Sequence, residues 1–190
     1  MRFTRHKGAV RAEIDDVEIQ VLRQLVDELL GLVEEPEVSD DPLQAFVGLP
    51  PGEVPQPEDP VLRRLLPDAY RDDPEAAGDF RRYTDADLRA GKRANAATVR
   101  ACLPAQPGRM TLDRDQADAW LGCLNDLRLA LGTALGVTEE TEPDDYDPDE
   151  PAFQALSVYS WLGWLQESLL SCLEPRKPPP VDPRLGGKVG

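Results

Sequence analysis

The side chains best suited to redox chemistry are thiols, and this chain has three cysteines, Cys102, Cys123 and Cys172. No Cys-x-x-Cys pair occurs, and an odd number of cysteines without an export signal favours reduced thiols. Each cysteine lies beside Leu or Ala in a segment of helical periodicity, where a free cysteine usually packs as a small buried hydrophobic residue. The pattern therefore favours a structural role for all three, and redox-responsive thiols remain the alternative.

Other candidates for catalysis or metal binding are few. The only histidine, His6, has no second histidine for a metal site and no cysteine partner for a nucleophilic dyad. Asp145-x-Asp147-x-Asp149 begins like a calcium loop, but Glu150 stands where that loop needs glycine and Leu156 where it needs glutamate. There is no glycine-rich phosphate loop and no Gly-x-Ser-x-Gly. We expect no enzyme activity, no metal and no cofactor.

The charge is strongly acidic but unevenly distributed. The chain holds 36 acidic against 21 basic residues, for a net charge of −15, which disfavours direct DNA binding because phosphate contacts need cations. Residues 61–109 are the exception and are net basic. We predict a docking surface here; the alternative is ordinary solvated helix faces with charge pairs four residues apart. The candidate residues are Arg63, Arg64, Arg71, Arg81, Arg82, Arg89, Lys92, Arg93 and Arg100.

The elements that must position these residues are mainly helical. Alternation in residues 1–14 around Lys7-Gly8 predicts a β-hairpin, with Phe3, Val10, Ala12 and Ile14 facing inward. Apolar periodicity and caps predict helices over 16–35, 60–66, 74–83, 85–102, 112–136 and 152–173, with a short one from Asp41-Pro42. Thr84 with Asp87 and Thr111 are predicted N-terminal caps, and Gly136 a C-terminal stop.

These elements predict a single mainly α domain over residues 1–174, an N-terminal β-hairpin packed on a bundle of five to seven helices. A proline-rich acidic connection spans 36–59, and 175–190 is expected to be a flexible tail. No apolar run is long enough to cross a membrane and no signal peptide is evident, so we expect a cytoplasmic protein.

Three segments carry a family resemblance. They read "LPDAYRDDPEAAGDFRRYTDADLR", "AWLGCLNDLRLALGTALGV" and "WLGWLQESLLSCL". With the hairpin, they make roughly residues 1–173 similar to an actinobacterial family called domain of unknown function 2017. The resemblance implies a cytoplasmic regulator of oxidative-stress and cysteine-pathway genes that acts with an alternative sigma factor.

The resemblance also implies redox sensing through a close pair of N-terminal cysteines. This chain departs from that pattern, because its start reads Arg2-Phe3-Thr4-Arg5 and holds no cysteine. Cys102, Cys123 and Cys172 could replace such a pair only if two of them came within disulfide geometry.

The leading functional hypothesis is therefore a non-enzymatic transcription and stress-response regulator. It would act through protein contacts, with a sigma factor or RNA polymerase as the partner and the basic residues of 63–100 as the docking surface. Direct DNA binding through the same residues is one alternative. An adaptor or scaffold linked to Clp proteolysis is another, suggested by the family's gene neighbours. An exposed apolar patch near Trp161 and Trp164 would favour a homo-oligomer.

Overall fold

The computed structural model describes residues 1–34, 54–70, 72–138, 141 and 150–174. Three strands and five helices lie in these ranges. The strands are β1 (Arg2–His6), β2 (Ala9–Ile14) and β3 (Gly108–Leu112). The helices are α1 (Asp16–Leu32), α2 (Pro60–Leu65), α3 (Pro74–Cys102), α4 (Arg114–Ala134) and α5 (Pro151–Leu173).

The hairpin is confirmed, and it belongs to a larger sheet. The order is β1-β2-β3 and both pairings are antiparallel. Lys7 and Gly8 form the two-residue turn with φ of 48° and 87°, the left-handed conformation that a tight hairpin turn requires. The predicted inner face is also confirmed, since its members are buried: Phe3, Val10, Ala12 and Ile14.

Strand β3 was not predicted. It is only five residues long and begins with glycine and arginine, so its alternation rests on two buried side chains, Met110 and Leu112. Its pairing partner, β2, lies about a hundred residues earlier in the chain. The sequence around β3 gives no sign of that distant pairing.

Aspartate caps start most of the helices. Asp15 and Glu18 form the predicted capping box of α1. Asp59 and Asp73 cap α2 and α3 ahead of a proline at the first helical position, as the Asp-Pro steps predict. The predicted short helix from Asp41-Pro42 lies outside the described residues, as do most of the 36–59 connection and the 175–190 tail.

Two predicted caps are wrong. Thr84 does not start a helix, because α3 runs unbroken from Pro74 to Cys102 and the Thr84 hydroxyl donates to the Phe80 carbonyl one turn earlier. The described part therefore holds five helices where six of the predicted segments fall in it. Helix α4 is capped by Asp113 in a capping box with Gln116, while the predicted cap, Thr111, lies in β3. The predicted stop at Gly136 fits the structure, with a φ of 65° just past the helix end.

One hydrophobic core joins the inner sheet face to α1, α4 and α5. Trp120 of α4 lies at its centre, fully buried, and meets the ring of Phe3 edge-to-face with 5.5 Å between centroids. The fully buried side chains of the surrounding helices include Leu22, Val26, Leu124, Leu162, Leu165 and Leu169.

The last helix also closes the open edge of the first strand. The backbone N–H of Phe3 donates to the Ser168 hydroxyl at 3.4 Å. The Arg5 side chain donates to the Cys172 carbonyl (Nε to O, 2.7 Å) and to the Glu174 carbonyl, at the C-terminal end of α5. A cation there satisfies carbonyls that lack helical partners. Within the described ranges, no helix is long and apolar enough to cross a membrane.

Candidate functional site

The most basic helix, α3, uses much of its charge to hold the fold together. Arg89 was predicted to lie on an exposed docking surface, but it is buried. Its Nε donates to the Asp85 carboxylate at 2.6 Å and its Nη1 to the Glu34 carbonyl, just beyond α1, at 2.9 Å. The ion pair between Asp85 and Arg89 faces the interior of the protein. Arg89 is therefore not part of an exposed docking surface, and the prediction is wrong for this residue.

Two other predicted surface cations tie α3 to neighbouring helices. Lys92 Nζ donates to the buried carboxylate of Asp126 in α4 at 2.7 Å. Arg100, half exposed, forms an ion pair with Asp27 of α1. Both cations meet carboxylates of the same chain, so their charge is largely neutralised before any partner arrives.

The remaining predicted cations are scattered. Arg81 is half-buried, pairs with Asp68 and donates to the Val54 carbonyl at 3.1 Å. Arg63 donates to the Glu58 carbonyl at 2.9 Å. Arg64 and Arg93 are exposed, and Arg71 lies outside the described residues. The structure therefore does not join the nine residues into one continuous basic face.

The connection that leads into α3 and the first half of α3 instead expose aromatic rings. Tyr70, Phe80 and Tyr83 are 51%, 42% and 66% exposed. Tyr70 and Phe80 meet edge-to-face at 6.0 Å between centroids, and Phe80 and Tyr83 are neighbours at i,i+3 spacing. The Arg82 guanidinium lies 5.9 Å from the centre of the Tyr83 ring. We call these four residues the α3 docking surface.

A groove adjoins this surface. It has a volume of about 730 Å³, and Pro55, Pro74, Gly78, Asp79 and Arg82 are among the residues that line it. Arg82 belongs to both features and so connects the groove to the aromatic rings. The ion pair between Arg82 and Asp79 is loose, at 4.0 Å.

The aromatic members of this surface were not predicted, because the prediction for this segment rested on its charged residues alone. The available signal was the spacing. Tyr83 falls on the side of α3 opposite Ala96 and Val99, which face the core, and Phe80 lies one turn earlier at the edge of that side. Large aromatic residues on the polar side of an amphipathic helix are a mark of an interaction surface.

The three cysteines are free thiols on three different helices. Cys102 is half-buried at the end of α3, Cys123 is buried in α4, and Cys172 is buried in α5. Burial raises the pKa of the Cys123 thiol to about 12, and Asp126 adds to the effect. Burial likewise raises the pKa of Cys172, against the opposing charges of Arg5 and Arg2.

Burial also raises the pKa of Cys102. The Trp120 indole N–H opposes this rise, and Asp113 adds to it. The indole N–H makes no hydrogen bond in the described structure, so its contact with the Cys102 sulfur is weak. All three thiols are therefore expected to be mainly protonated at neutral pH and to react slowly with oxidants.

Iodoacetamide labelling should reveal the raised pKa of Cys102. The thiolate is the reactive form, so the labelling rate should rise about tenfold per pH unit. Because the pKa of Cys102 lies above the ordinary 9.0, that rise should continue past pH 9. Mass spectrometry should find Cys102 labelled first and Cys123 labelled only in urea. A Cys102 rate that levels off below pH 8 would show a stabilised thiolate and contradict the structure.

No group of three or more His, Cys, Asp or Glu side chains in the described part of the chain is placed to hold a metal ion. The acidic run that resembles a calcium loop falls mainly in residues 142–149, outside that part.

The chain is similar to known proteins over nearly its whole length. Residues 1–173 match the family described as Domain of unknown function (DUF2017). The oxidative stress regulators AosR of Mycobacterium tuberculosis and Mycobacterium bovis are each 34% identical over 185 residues, which is 90% of this chain and 84% of theirs. A relative in Mycobacterium leprae is 37% identical over 178 residues, 86% of this chain and 82% of its own.

No solved structure matches the chain significantly. The family expected from the three sequence segments is confirmed, with relatives that are named as stress regulators. The chain belongs to the DUF2017 family.

Proposed function

We propose that this chain is a non-enzymatic regulator of the oxidative-stress response that acts by binding a protein of the transcription machinery through the α3 docking surface. The proposal takes the regulatory role from the names of the relatives, the oxidative stress regulators AosR. The partner class, a sigma factor or an RNA polymerase subunit, comes from the family resemblance of the sequence. The surface comes from the exposed rings of Tyr70, Phe80 and Tyr83 beside Arg82.

The composition of the surface carries the argument. Tyrosine and arginine are enriched among the residues that dominate binding energy in protein interfaces. Exposed rings cost the isolated protein free energy, since burying apolar area is worth about 25 cal/mol per Å². A partner that covers Tyr70, Phe80 and Tyr83 recovers that free energy, and Arg82 can pair with an acidic group at the edge.

The exposed residues of α5 are a weaker candidate surface. Trp164 and Leu170 are both about half exposed. They are six residues apart, so they lie about 120° apart around the helix axis and do not form one patch. A homo-oligomer through this helix therefore has less support than a partner on α3.

A pull-down with a double variant tests the proposal. Phe80→Ala with Tyr83→Ala should weaken partner capture by about thirtyfold, because removing a hot spot costs about 2 kcal/mol or more. The tagged full chain is crosslinked in host lysate, and captured proteins are quantified by mass spectrometry. The matched control is Trp164→Ala, which removes an aromatic ring of similar exposure, 45%, from α5.

The outcomes separate the surface from the partner. Sigma factor or RNA polymerase subunits that are enriched by the wild type and the control, but lost with the double variant, support both. Equal capture by the double variant and the control would rule out the surface. Enrichment of Clp components in place of transcription proteins would rule out the proposed partner class.

A further inference from the structure

The outer face of the three-stranded sheet concentrates positive charge. Because Phe3, Val10 and Ala12 face the core, the residues that alternate with them face outward. The register places Arg2, Glu13 and Arg109 in one cross-strand row and Thr4, Arg11 and Thr111 in the next. Neighbouring strands are about 4.8 Å apart, so three arginines converge within roughly 10 Å.

These side chains surround a depression of about 450 Å³. It is lined by Arg2, Thr4, Arg5, His6, Arg11 and Arg109, with Glu13 as its acid. Small-molecule sites commonly have volumes of about 300–1,000 Å³. The chain has a net charge of −15, but this depression, with four arginines and one acid, is locally positive.

The arginines of this face are only partly satisfied. Arg109 pairs with Glu13 at 2.9 Å, and both side chains are exposed. Arg11 has a buried Nε that meets no hydrogen-bond acceptor among the described residues. The Arg2 side chain likewise has no hydrogen bond or ion pair to any residue in the described ranges, although Arg5 is occupied at the end of α5. The Arg2 guanidinium and the terminal guanidinium nitrogens of Arg11 are therefore the donors available for an anion, since the Arg11 Nε itself is enclosed by the fold.

The geometry suits phosphate. Arginine presents a planar fork of donors that matches phosphate oxygens and binds them with charge-assisted hydrogen bonds. The hydroxyl of Thr111 lies beside Arg11 across the sheet and can add a neutral donor, whereas the Thr4 hydroxyl already donates to the Arg11 carbonyl at 3.3 Å. A carboxylate ligand would use one arginine, whereas a di- or triphosphate can engage Arg2, Arg11 and Arg109 together.

The surroundings favour a small anion over a long one. The elements that border the sheet begin with acids, Asp15, Asp16 and Glu18 on α1 and Asp113 and Asp115 on α4. A nucleic acid bound to the sheet would extend past these acidic residues, which would repel its phosphates. A small phosphate compound can stay close to the arginines, within about one Debye length, ~10 Å.

We infer that the outer sheet face, through Arg2, Arg11 and Arg109, binds a small compound that carries a phosphate or diphosphate group. The site is separate from the α3 docking surface, and its residues take no part in the proposed protein contact. It gives a regulator of this family a place at which a phosphorylated small molecule can be sensed.

Calorimetric titration of the full chain with inorganic pyrophosphate tests the site. Binding should be measurable at low salt and weaken as salt is added. Arg11→Gln should lower the affinity at least about tenfold, because it removes a charge-assisted contact. Glu13→Gln should raise the affinity about threefold, because it removes the opposing carboxylate. The control is Arg64→Gln, which deletes the same charge from an exposed position on α2 and should leave the affinity unchanged.

Several results would overturn the inference. These are no binding of pyrophosphate at low salt, equal affinities for Arg11→Gln and Arg64→Gln, or a Glu13→Gln variant that binds more weakly. A short DNA duplex that binds the same face and is not displaced by pyrophosphate would show a nucleic-acid surface instead. Melting curves identify any misfolded variant, and Arg109→Gln replaces Arg11→Gln if the latter is unstable. Since none of these variants touches α3, a failure here leaves the docking proposal standing.

Discussion

Replacing Arg89 with glutamate is expected to lower the free energy of unfolding by about 3–5 kcal/mol, the usual cost of breaking a buried ion pair. The new carboxylate would face the buried Asp85 four residues earlier, and the Glu34 carbonyl would lose its donor. Both effects act in the folded state, where water cannot screen the two charges well. Urea denaturation followed by circular dichroism measures the loss.

Arg93→Glu is the matched control for that prediction. It makes the same charge change on the same helix, but at an exposed position, so the change should stay within about 0.5 kcal/mol. Equal losses in the two variants would mean that general charge on α3, not the buried pair, sets the stability. The buried position of Arg89 also limits which variants can be used in docking experiments. A variant that combines charge reversals at Arg89, Arg93 and Arg100 would be destabilised through Arg89, so its loss of partner binding would not identify a docking residue.

Replacing Trp120 with alanine should also cost about 3–5 kcal/mol, as expected for a large buried aromatic residue. The side chain is fully buried at the centre of the core, and the change would remove its edge-to-face contact with Phe3. The loss should appear as a lower midpoint in urea with a similar slope, which shows a change in stability and not in the surface exposed on unfolding.

Two substitutions identify the source of that loss. Trp120→Phe should cost clearly less than alanine, because it keeps most of the ring and removes an indole N–H that has no acceptor in the described structure. Trp164→Ala, at a half-exposed position on α5, should change the stability little. A Trp164→Ala loss as large as that of Trp120→Ala would contradict the assignment of the core.

The sequence predicted well those features that depend on near neighbours. The Asp15–Glu18 capping box and the Asp-Pro starts of α2 and α3 each involve a few consecutive residues. The interactions that form them are therefore visible in the local sequence. The hairpin around Lys7-Gly8 is predictable for the same reason. The merging of two predicted helices into α3 shows the limit, because Thr84 fits a helix interior as well as a cap.

The candidate site depended on distant contacts and was predicted less well. Asp85 and Arg89 have the i,i+4 spacing of a solvated pair, and only the packing of α1 against α3 makes that pair internal. Lys92 and Asp126 are 34 residues apart, so no local pattern reveals their contact. The outer sheet face depends on β3, because β3 brings Arg109 beside Glu13. The pairing of β3 with β2 was not predicted.

The contact between the first strand and the last helix has a consequence for how the chain folds during its synthesis. Phe3 meets Ser168 and Arg5 meets Cys172, across 165 and 167 residues of sequence. The ribosome must therefore release α5 before the edge of β1 can be covered. Until then, the hairpin offers unpaired backbone groups to other nascent chains, a state that favours association between strands. Folding of this domain is thus expected to finish only after α5, its last helix, has left the ribosome.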